Sequence, residues 1–134
     1  MEEAVLSIEK QIFRSGPFKD VFAQGVKVGN ILYLAGQVGI DDSGIPGADI
    51  TAQTKLAYSN IHRVLLKFGA TMDNIVDETM FVTDIGEIMS NAESIFGARS
   101  EAYGGVPEVS QTLVQVSALV LPKLKLEIKC IAHL

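Results

Sequence analysis

The strongest constraint on the fold of this chain is an alternating pattern near its C-terminal end. From Leu124 to Ala132 an apolar side chain occupies every second position, and Lys125, Glu127 and Lys129 stand between them. Successive side chains of a β-strand point to opposite faces of its sheet, so this segment predicts a strand with one core face and one polar face. Such a sheet needs a second layer to cover its apolar side.

Upstream segments predict the helices of that layer and further strands. Two β-rich runs within residues 22–39 flank Gly29 and Asn30, a dipeptide suited to the positive φ angles of a tight hairpin turn, and a third extended piece follows. Asp49 can cap a first helix with one apolar face, which Gly69 would end.

The rest of the chain completes an α+β pattern. The remaining predicted elements are a buried strand over 74–85, a helix over 87–103, and closing strands over 112–119 and 124–132 with Pro122 between them. We therefore expect one domain, residues 1–134, in which both helices pack on one face of a mixed sheet. The other face would be left open, and contact with sister subunits is one way to bury it.

Composition narrows the range of partners and compartments. The net charge is −5 and the cations are scattered, which argues against nucleic acid as the main ligand, and no apolar run is long enough for a membrane span. The acidic start of the sequence does not resemble a targeting peptide, so we expect a cytoplasmic protein. One cysteine, Cys130, and two histidines, His62 and His133, predict neither a metal site nor another cofactor.

Four segments carry a family resemblance: GNILYLAGQVG, FVTDI, QTLVQVSAL and LEIKCIA. In this order they resemble the reactive intermediate deaminase family, also called Rid, YjgF or L-PSP proteins, along nearly the whole chain. The resemblance implies a chorismate-mutase-like fold, a homotrimer, and small-molecule clefts between subunits. It also implies hydrolysis of enamines and imines such as 2-aminoacrylate, which gives a keto acid and ammonia.

The family pattern also suggests site residues. It places Glu127 as the carboxylate that positions the attacking water, Gly36 as a backbone donor to an anionic group, and Phe22 where many members carry a tyrosine near the cleft. Gln111 falls where the family has the arginine that holds the substrate carboxylate, whereas alignment from Pro107 would place Val109 there. A neutral amide replaces a bidentate guanidinium at this position, which weakens carboxylate binding unless another cation compensates.

Several alternatives stay open from the sequence. Lys125 or Arg99 could compensate for the missing arginine, and Glu127 could be a surface carboxylate paired with a neighbouring lysine. His62 is expected to be solvated and Cys130 to be an inert buried thiol. The chain could be a hydrolase, or a metabolite-binding trimer without deaminase chemistry, whereas the acidic charge disfavours a ribonuclease.

Overall fold

The structure is a computed structural model and describes residues 8–134. The strands in this part of the chain are β1 (Gln11–Phe13), β2 (Gly25–Val28), β3 (Ile31–Leu34), β4 (Gln37–Val38), β5 (Ile75–Val82), β6 (Ser110–Gln115) and β7 (Leu126–His133). The helices are α1 (Ile50–Lys67), α2 (Ile85–Ser90) and α3 (Ala92–Tyr103), with a short 3-10 turn at Met72–Asn74 before β5.

All seven strands belong to one sheet, with β7 in its interior. The order is β1-β2-β3-β7-β5-β6, and β4 pairs with β7 beyond the end of β3. The β5–β6 pair is parallel and the other pairs are antiparallel, so the sheet is mixed as predicted. The two closing strands are not neighbours, because β5 lies between them.

The helices cover one face of this sheet. The side chains of β7 that alternate toward α1 are fully buried, and Leu32 and Leu34 of β3 and Met80 and Val82 of β5 join them in the core. Burial of apolar surface contributes about 25 cal/mol per Å², so this layer supplies most of the driving force for folding. The predicted α+β arrangement with helices on one face is confirmed.

The opposite face of the sheet has no covering layer among residues 8–134. Cross-strand pairing places Tyr33, Phe81, Val114 and Ile131 on this side, together with Glu127. Tyr33 is 44% exposed and Val114 is 37% exposed. We call this surface the open face.

Local signals set the helix ends. The Asp49 side chain accepts a hydrogen bond from the backbone N–H of Ala52 at 2.7 Å, and Gly69 has a φ of +69° just after α1, as the sequence predicts. The second predicted helix is divided instead at Asn91, whose side-chain amide donates to the Glu87 carbonyl at 2.9 Å. Serine and asparagine compete with the helix for backbone hydrogen bonds, which explains a break at Ser90-Asn91.

Turn and edge details differ from the sequence prediction in two places. In the β2–β3 turn Gly29 has a φ of +58°, but Asn30 does not have a positive φ. Among residues 8–134 only glycines have positive φ angles. Strand β1 was not predicted. It is only three residues long and two of them are exposed, so it leaves little pattern in the sequence.

Candidate functional site

A hollow of about 760 Å³ lies beside β4, between the start of β7, α1 and the segment that joins β1 to β2. We call it the β4 hollow. A volume of this size fits a small molecule. Three of the predicted site residues, Phe22, Gly36 and Glu127, line it together.

Gly36 and Glu127 are in direct contact in the β4 hollow. Gly36 immediately precedes β4, and the β4–β7 pairing sets Val38 opposite Glu127. A Cβ atom added to Gly36 would overlap the carboxylate oxygen Oε2 of Glu127 and would lie 2.7 Å from its Cδ. Position 36 therefore has no room for a side chain while the Glu127 carboxylate keeps this place.

Partial burial alters the acidity of Glu127. Desolvation raises the pKa of its carboxyl above the usual range, and the nearby Lys129 ammonium lowers the pKa and so offsets part of that effect. Lys129 itself donates to the Leu34 carbonyl at 2.8 Å. Among residues 8–134 no donor is hydrogen-bonded to the Glu127 carboxylate, so both of its oxygens can accept from a water or a ligand.

Aromatic rings form one wall of the hollow. Phe18 and Phe22 stack with ring centroids 5.8 Å apart and an interplanar angle of 17°, and Phe13 lines the hollow beside them. Phe18 is 44% and Phe22 42% exposed. Exposed stacked rings at the mouth of a hollow favour an apolar or planar group in the ligand.

Two glutamines form a polar part of the hollow. Gln37, which is 9% exposed, donates through Nε2 to Gln24 Oε1 at 2.8 Å and to the Ala35 carbonyl at 3.2 Å. The backbone N–H of Ala35 donates in turn to the Gln24 carbonyl at 2.8 Å. These bonds fix the segment that carries Gly36 relative to the start of β2.

Helix α1 contributes cations to the same hollow. Asn60, Arg63 and Lys67 lie three and four positions apart, so they share one side of the helix, and all three line the hollow. Asn60 donates to the carbonyls of Val38 and Ile40, both at 3.0 Å, and so holds this side of α1 against β4 and the loop after it.

Gln111 lies elsewhere, in a buried polar cluster on the helix side of the sheet. Its Nε2 donates to Oε2 of Glu78 at 2.6 Å, and Arg99 Nε donates to the same oxygen at 2.8 Å. The hydroxyls of Tyr58 and Tyr103 each donate to Oε1 of Glu78 at 2.8 Å. Glu78 is fully buried, and we call these five residues the Glu78 cluster.

This placement corrects the expectation that Gln111 and Glu127 share a hollow. Gln111 is paired with Glu78, which is paired with the buried Cys130, whereas Glu127 is paired with Phe81 on the open face. Residues one position out of step along neighbouring strands point to opposite faces. Gln111 therefore lies outside the β4 hollow and satisfies a buried carboxylate instead.

The Glu78 cluster is a buried ion pair whose carboxylate accepts hydrogen bonds from four donors. Burial acts to lower the pKa of Arg99, but the charge and hydrogen bond of Glu78 outweigh it and raise the pKa. Burial and the same carboxylate also raise the pKa of Tyr58 well above its usual range. One guanidinium nitrogen, Arg99 Nη2, is buried without a partner among the described residues. Breaking one member of such a pair is costly, so the cluster fixes α1 and α3 onto β5 and β6.

The other residues that the sequence suggested do not line the β4 hollow. Lys125 forms a 2.6 Å ion pair with Glu87, and Arg99 is held by Glu78, so neither of the suggested replacement cations lines the β4 hollow. Cys130 is fully buried and its pKa is raised by burial, as expected of an inert thiol. His62 is exposed on α1.

Asp41 accepts from the backbone N–H of Ser43 and of Ile45, both at 2.9 Å, so the loop after β4 is a turn. Within residues 8–134 no three metal-binding side chains come together. No helix in that range has the length and apolarity that crossing a bilayer requires.

Sequence reasoning missed most of the lining of the hollow, including its polar residues Gln24, Gln37, Arg63 and Lys67. Gln37 was visible in the Ala35-Gly36-Gln37 motif but was not assigned a role. The spacing of Arg63 and Lys67 with Asn60 is a recognisable polar stripe on α1. What the sequence did not show is that this stripe lines the same hollow as Glu127.

The fold and the site together define a class of protein: a small α+β domain with helices on one face of its sheet and a ligand-sized hollow between β4, β7 and α1. Residues 17–134 match the family described as Endoribonuclease L-PSP. The chain belongs to this family, whose members are also known as YjgF or Rid proteins.

Individual relatives agree with this assignment. The RutC family protein YjgH of Escherichia coli K12 is 33% identical over 113 residues, which cover 84% of this chain and 82% of YjgH. TdcF of the same strain, named as a candidate reactive intermediate deaminase, is 29% identical over 83% of this chain and 84% of its own length. The crystal structure of Rv2704 from Mycobacterium tuberculosis, a YjgF family member, superposes with a TM-score of 0.77 at 29% identity and covers 94% of this chain and 100% of that one.

Proposed function

We propose that this protein hydrolyses reactive enamines or imines of the 2-aminoacrylate type in the β4 hollow. The observation that carries the proposal is the half-buried carboxylate of Glu127, which lies against Gly36 with both oxygens available. The name of TdcF supports the same reaction class. Gly36 supplies the space for the carboxylate, and Phe22 and Phe18 supply an apolar wall for the substrate.

The chemistry requires one water and one base. The enamine tautomerises to an imine, and water adds to the carbon of the C=N bond while its proton passes to a carboxylate oxygen of Glu127. The imine nitrogen takes up that proton, which gives a neutral carbinolamine. Glu127 then transfers the hydroxyl proton of the carbinolamine to the nitrogen, the C–N bond breaks as the C=O bond forms, and ammonia leaves. A base whose pKa is raised toward neutrality is better suited to this proton transfer than an ordinary glutamate.

The test is ammonia release from 2-aminoacrylate generated in the assay by a pyridoxal-phosphate enzyme. We expect the wild type to accelerate release and Glu127→Gln, which keeps the shape but removes the base, to lose this acceleration by about 100-fold or more. Glu101→Gln is the matched control, since Glu101 is an exposed carboxylate of α3 outside the β4 hollow. Equal rates for wild type and Glu127→Gln would refute the proposal.

We further propose that the working form is a cytoplasmic homotrimer in which neighbouring copies cover the open face. The exposed apolar side chains Tyr33 and Val114 support this, because an uncovered sheet face with such residues is typical of an interface. Glu127 lies on the same side of the sheet, so a neighbouring copy would also close the β4 hollow.

An alternative is a trimer that binds a metabolite without turning it over. It is favoured by one observation: position 111, where the family pattern has an arginine, holds a glutamine committed to Glu78. Thermal shifts that persist while the ligand stays chemically intact would indicate binding alone. A role on RNA, suggested by the family description, has less support, because the net charge of −5 disfavours a polyanionic ligand.

A further inference from the structure

The β4 hollow contains its own cations, which come from α1 rather than from β6. The family pattern predicts a guanidinium at position 111. In this chain Gln111 is hydrogen-bonded to Glu78 and does not line the β4 hollow. Arg63 and Lys67, one helical turn apart at the end of α1, line the hollow together with Glu127. The lining of the hollow therefore contains two cations, Arg63 and Lys67, and three carboxylates, Asp41, Asp42 and Glu127.

Arg63 and Lys67 are not equally available to a ligand. Arg63 Nη2 forms a 2.8 Å ion pair with Asp42, and the two side chains are 55% and 81% exposed, so its charge is already shared. Lys67 has no carboxylate within 4.0 Å among residues 8–134, and its ammonium lies 5.5 Å from the centre of the Phe13 ring. An aromatic face holds a cation in place without neutralising it.

Lys129 is a less suitable cation for this role. Its ammonium donates to the Leu34 carbonyl at 2.8 Å, and Lys129 is not among the residues that line the hollow. It acts on Glu127 by lowering the pKa of that carboxyl. Lys67 is thus the cation in the β4 hollow with no ionic partner among the residues that the structure describes.

We propose that Lys67 binds the anionic group of the ligand in the β4 hollow. In this way Lys67 takes the role of the family's substrate-binding arginine, whose place in this chain is occupied by Gln111. The proposal rests on the hollow being the ligand site. It defines a ligand class: a small carboxylate whose apolar part packs on Phe18 and Phe22, with its reacting carbon toward Glu127. A charge-assisted hydrogen bond contributes about 1.5–3 kcal/mol, which corresponds to roughly 10-fold to 150-fold in affinity.

The experiment compares binding of pyruvate, the keto acid expected from 2-aminoacrylate, with binding of its uncharged methyl ester. Dissociation constants are measured by ligand-observed NMR for wild type, Lys67→Met and Lys67→Arg. Lys55→Met is the matched control, because Lys55 is also exposed on α1 but lines a different hollow, between α1 and α3. Melting temperatures verify that each variant is folded.

We expect Lys67→Met to weaken pyruvate binding about 10-fold or more and to leave methyl pyruvate binding unchanged. Lys67→Arg should retain most of the pyruvate affinity, and Lys55→Met should bind both probes like the wild type. Unchanged pyruvate binding in Lys67→Met, equal loss of both probes, or a wild type that does not prefer pyruvate would each overturn the proposal.

Failure of the proposed hydrolysis would be seen separately. Ammonia release that does not depend on Glu127 would refute the reaction, while a selective loss of pyruvate binding in Lys67→Met would still support the anion site. Conversely, Glu127-dependent turnover with normal pyruvate binding in Lys67→Met would support the reaction and refute the role of Lys67.

Discussion

Glu127 and Gln111 show how two residues with similar prospects in the sequence acquire different roles. Glu127 lies on the polar side of β7, against a glycine and beside a hollow. Gln111 is one of four donors to a carboxylate that no solvent reaches. The difference arises from the register of neighbouring strands, where a shift of one residue exchanges the two faces of a sheet.

The pH dependence of activity should report the environment of Glu127. Lys129 lowers the pKa of this carboxyl, so Lys129→Met should raise that pKa further. The ionised form is the base, and we therefore expect the acid limb of kcat/KM to move to higher pH while the rate above it is unchanged. Steady-state rates between pH 4 and 9 measure this, with the exposed Lys123→Met as control.

The same raised pKa has a consequence for stability. A carboxyl that holds its proton more tightly in the folded state favours folding at low pH, and this contribution falls as pH rises through the interval between the ordinary and the raised pKa.

A Lys129→Met variant whose acid limb of kcat/KM stays at the wild-type pH, or moves to lower pH, would contradict the described environment of Glu127.

Gln111 should matter for stability rather than for ligand binding. Gln111→Ala removes a 2.6 Å hydrogen bond to a buried carboxylate, and we expect a loss of about 1.5–3 kcal/mol in the free energy of unfolding. Gln115 is on the same strand as Gln111 and accepts a hydrogen bond from the neutral backbone N–H of Ile85. Gln115→Ala should therefore lose less free energy of unfolding than Gln111→Ala. Urea denaturation measures both losses, and affinity for pyruvate should not change in either variant.

A loss of pyruvate affinity in Gln111→Ala comparable to that expected for Lys67→Met would restore Gln111 to the ligand site. The sequence could not decide whether Gln111 and Glu127 share a hollow. It shows that the side chains of each strand alternate between two faces, but not which of the two faces packs against α1. Phe22, Gly36 and Glu127, which were chosen by their motif positions, line one hollow. Lys67, in the last turn of α1, was not a site candidate from the sequence.

At the level of elements, local signals predicted most of the secondary structure. The hairpin, α1, β5 and β7 follow from turn residues, helix caps and periodicity of two or three to four residues. The break between α2 and α3 and the short strand β1 were missed, since the first depends on hydrogen bonds of a single asparagine and the second on pairing with β2. Pairing between distant strands leaves no local signal.

The N-terminal cap of α1 offers a test at this scale. Asp49 accepts the Ala52 N–H, and Asp49→Ala leaves that donor without its partner, which should cost about 1 kcal/mol in the free energy of unfolding. Asp49→Asn keeps an acceptor and should lose much less. Both values come from urea denaturation, and equal losses for the two variants would show that the cap hydrogen bond is not what stabilises this end of α1.

At the level of the whole molecule, we expect the open face to determine the assembly state. We expect sedimentation equilibrium to give three times the 14.4 kDa of one chain. Val114→Glu places a charge on the open face and should shift the protein toward monomers, because burying an unpaired carboxylate is unfavourable. Val106→Glu is the control: Val106 is 91% exposed and lies outside the strands.

A wild type that sediments as single chains at micromolar concentration would refute the trimer. A trimer that withstands Val114→Glu would instead place the interface away from this part of β6. The fold class was predictable at this scale, because a sheet with one apolar and one polar side requires helices on the apolar side. The position of the hollow was not, since it combines segments that are distant in sequence.

The interior position of β7 has a consequence for the order of assembly. Every other strand precedes β7 in the chain, yet β7 hydrogen-bonds to β3, β4 and β5 and thereby joins the hairpin half of the sheet to the β5–β6 half. During synthesis the strands of the two halves cannot be hydrogen-bonded into one sheet until β7 is available. The same strand carries Glu127, so the carboxylate that we propose as the base reaches its place only when the sheet is joined.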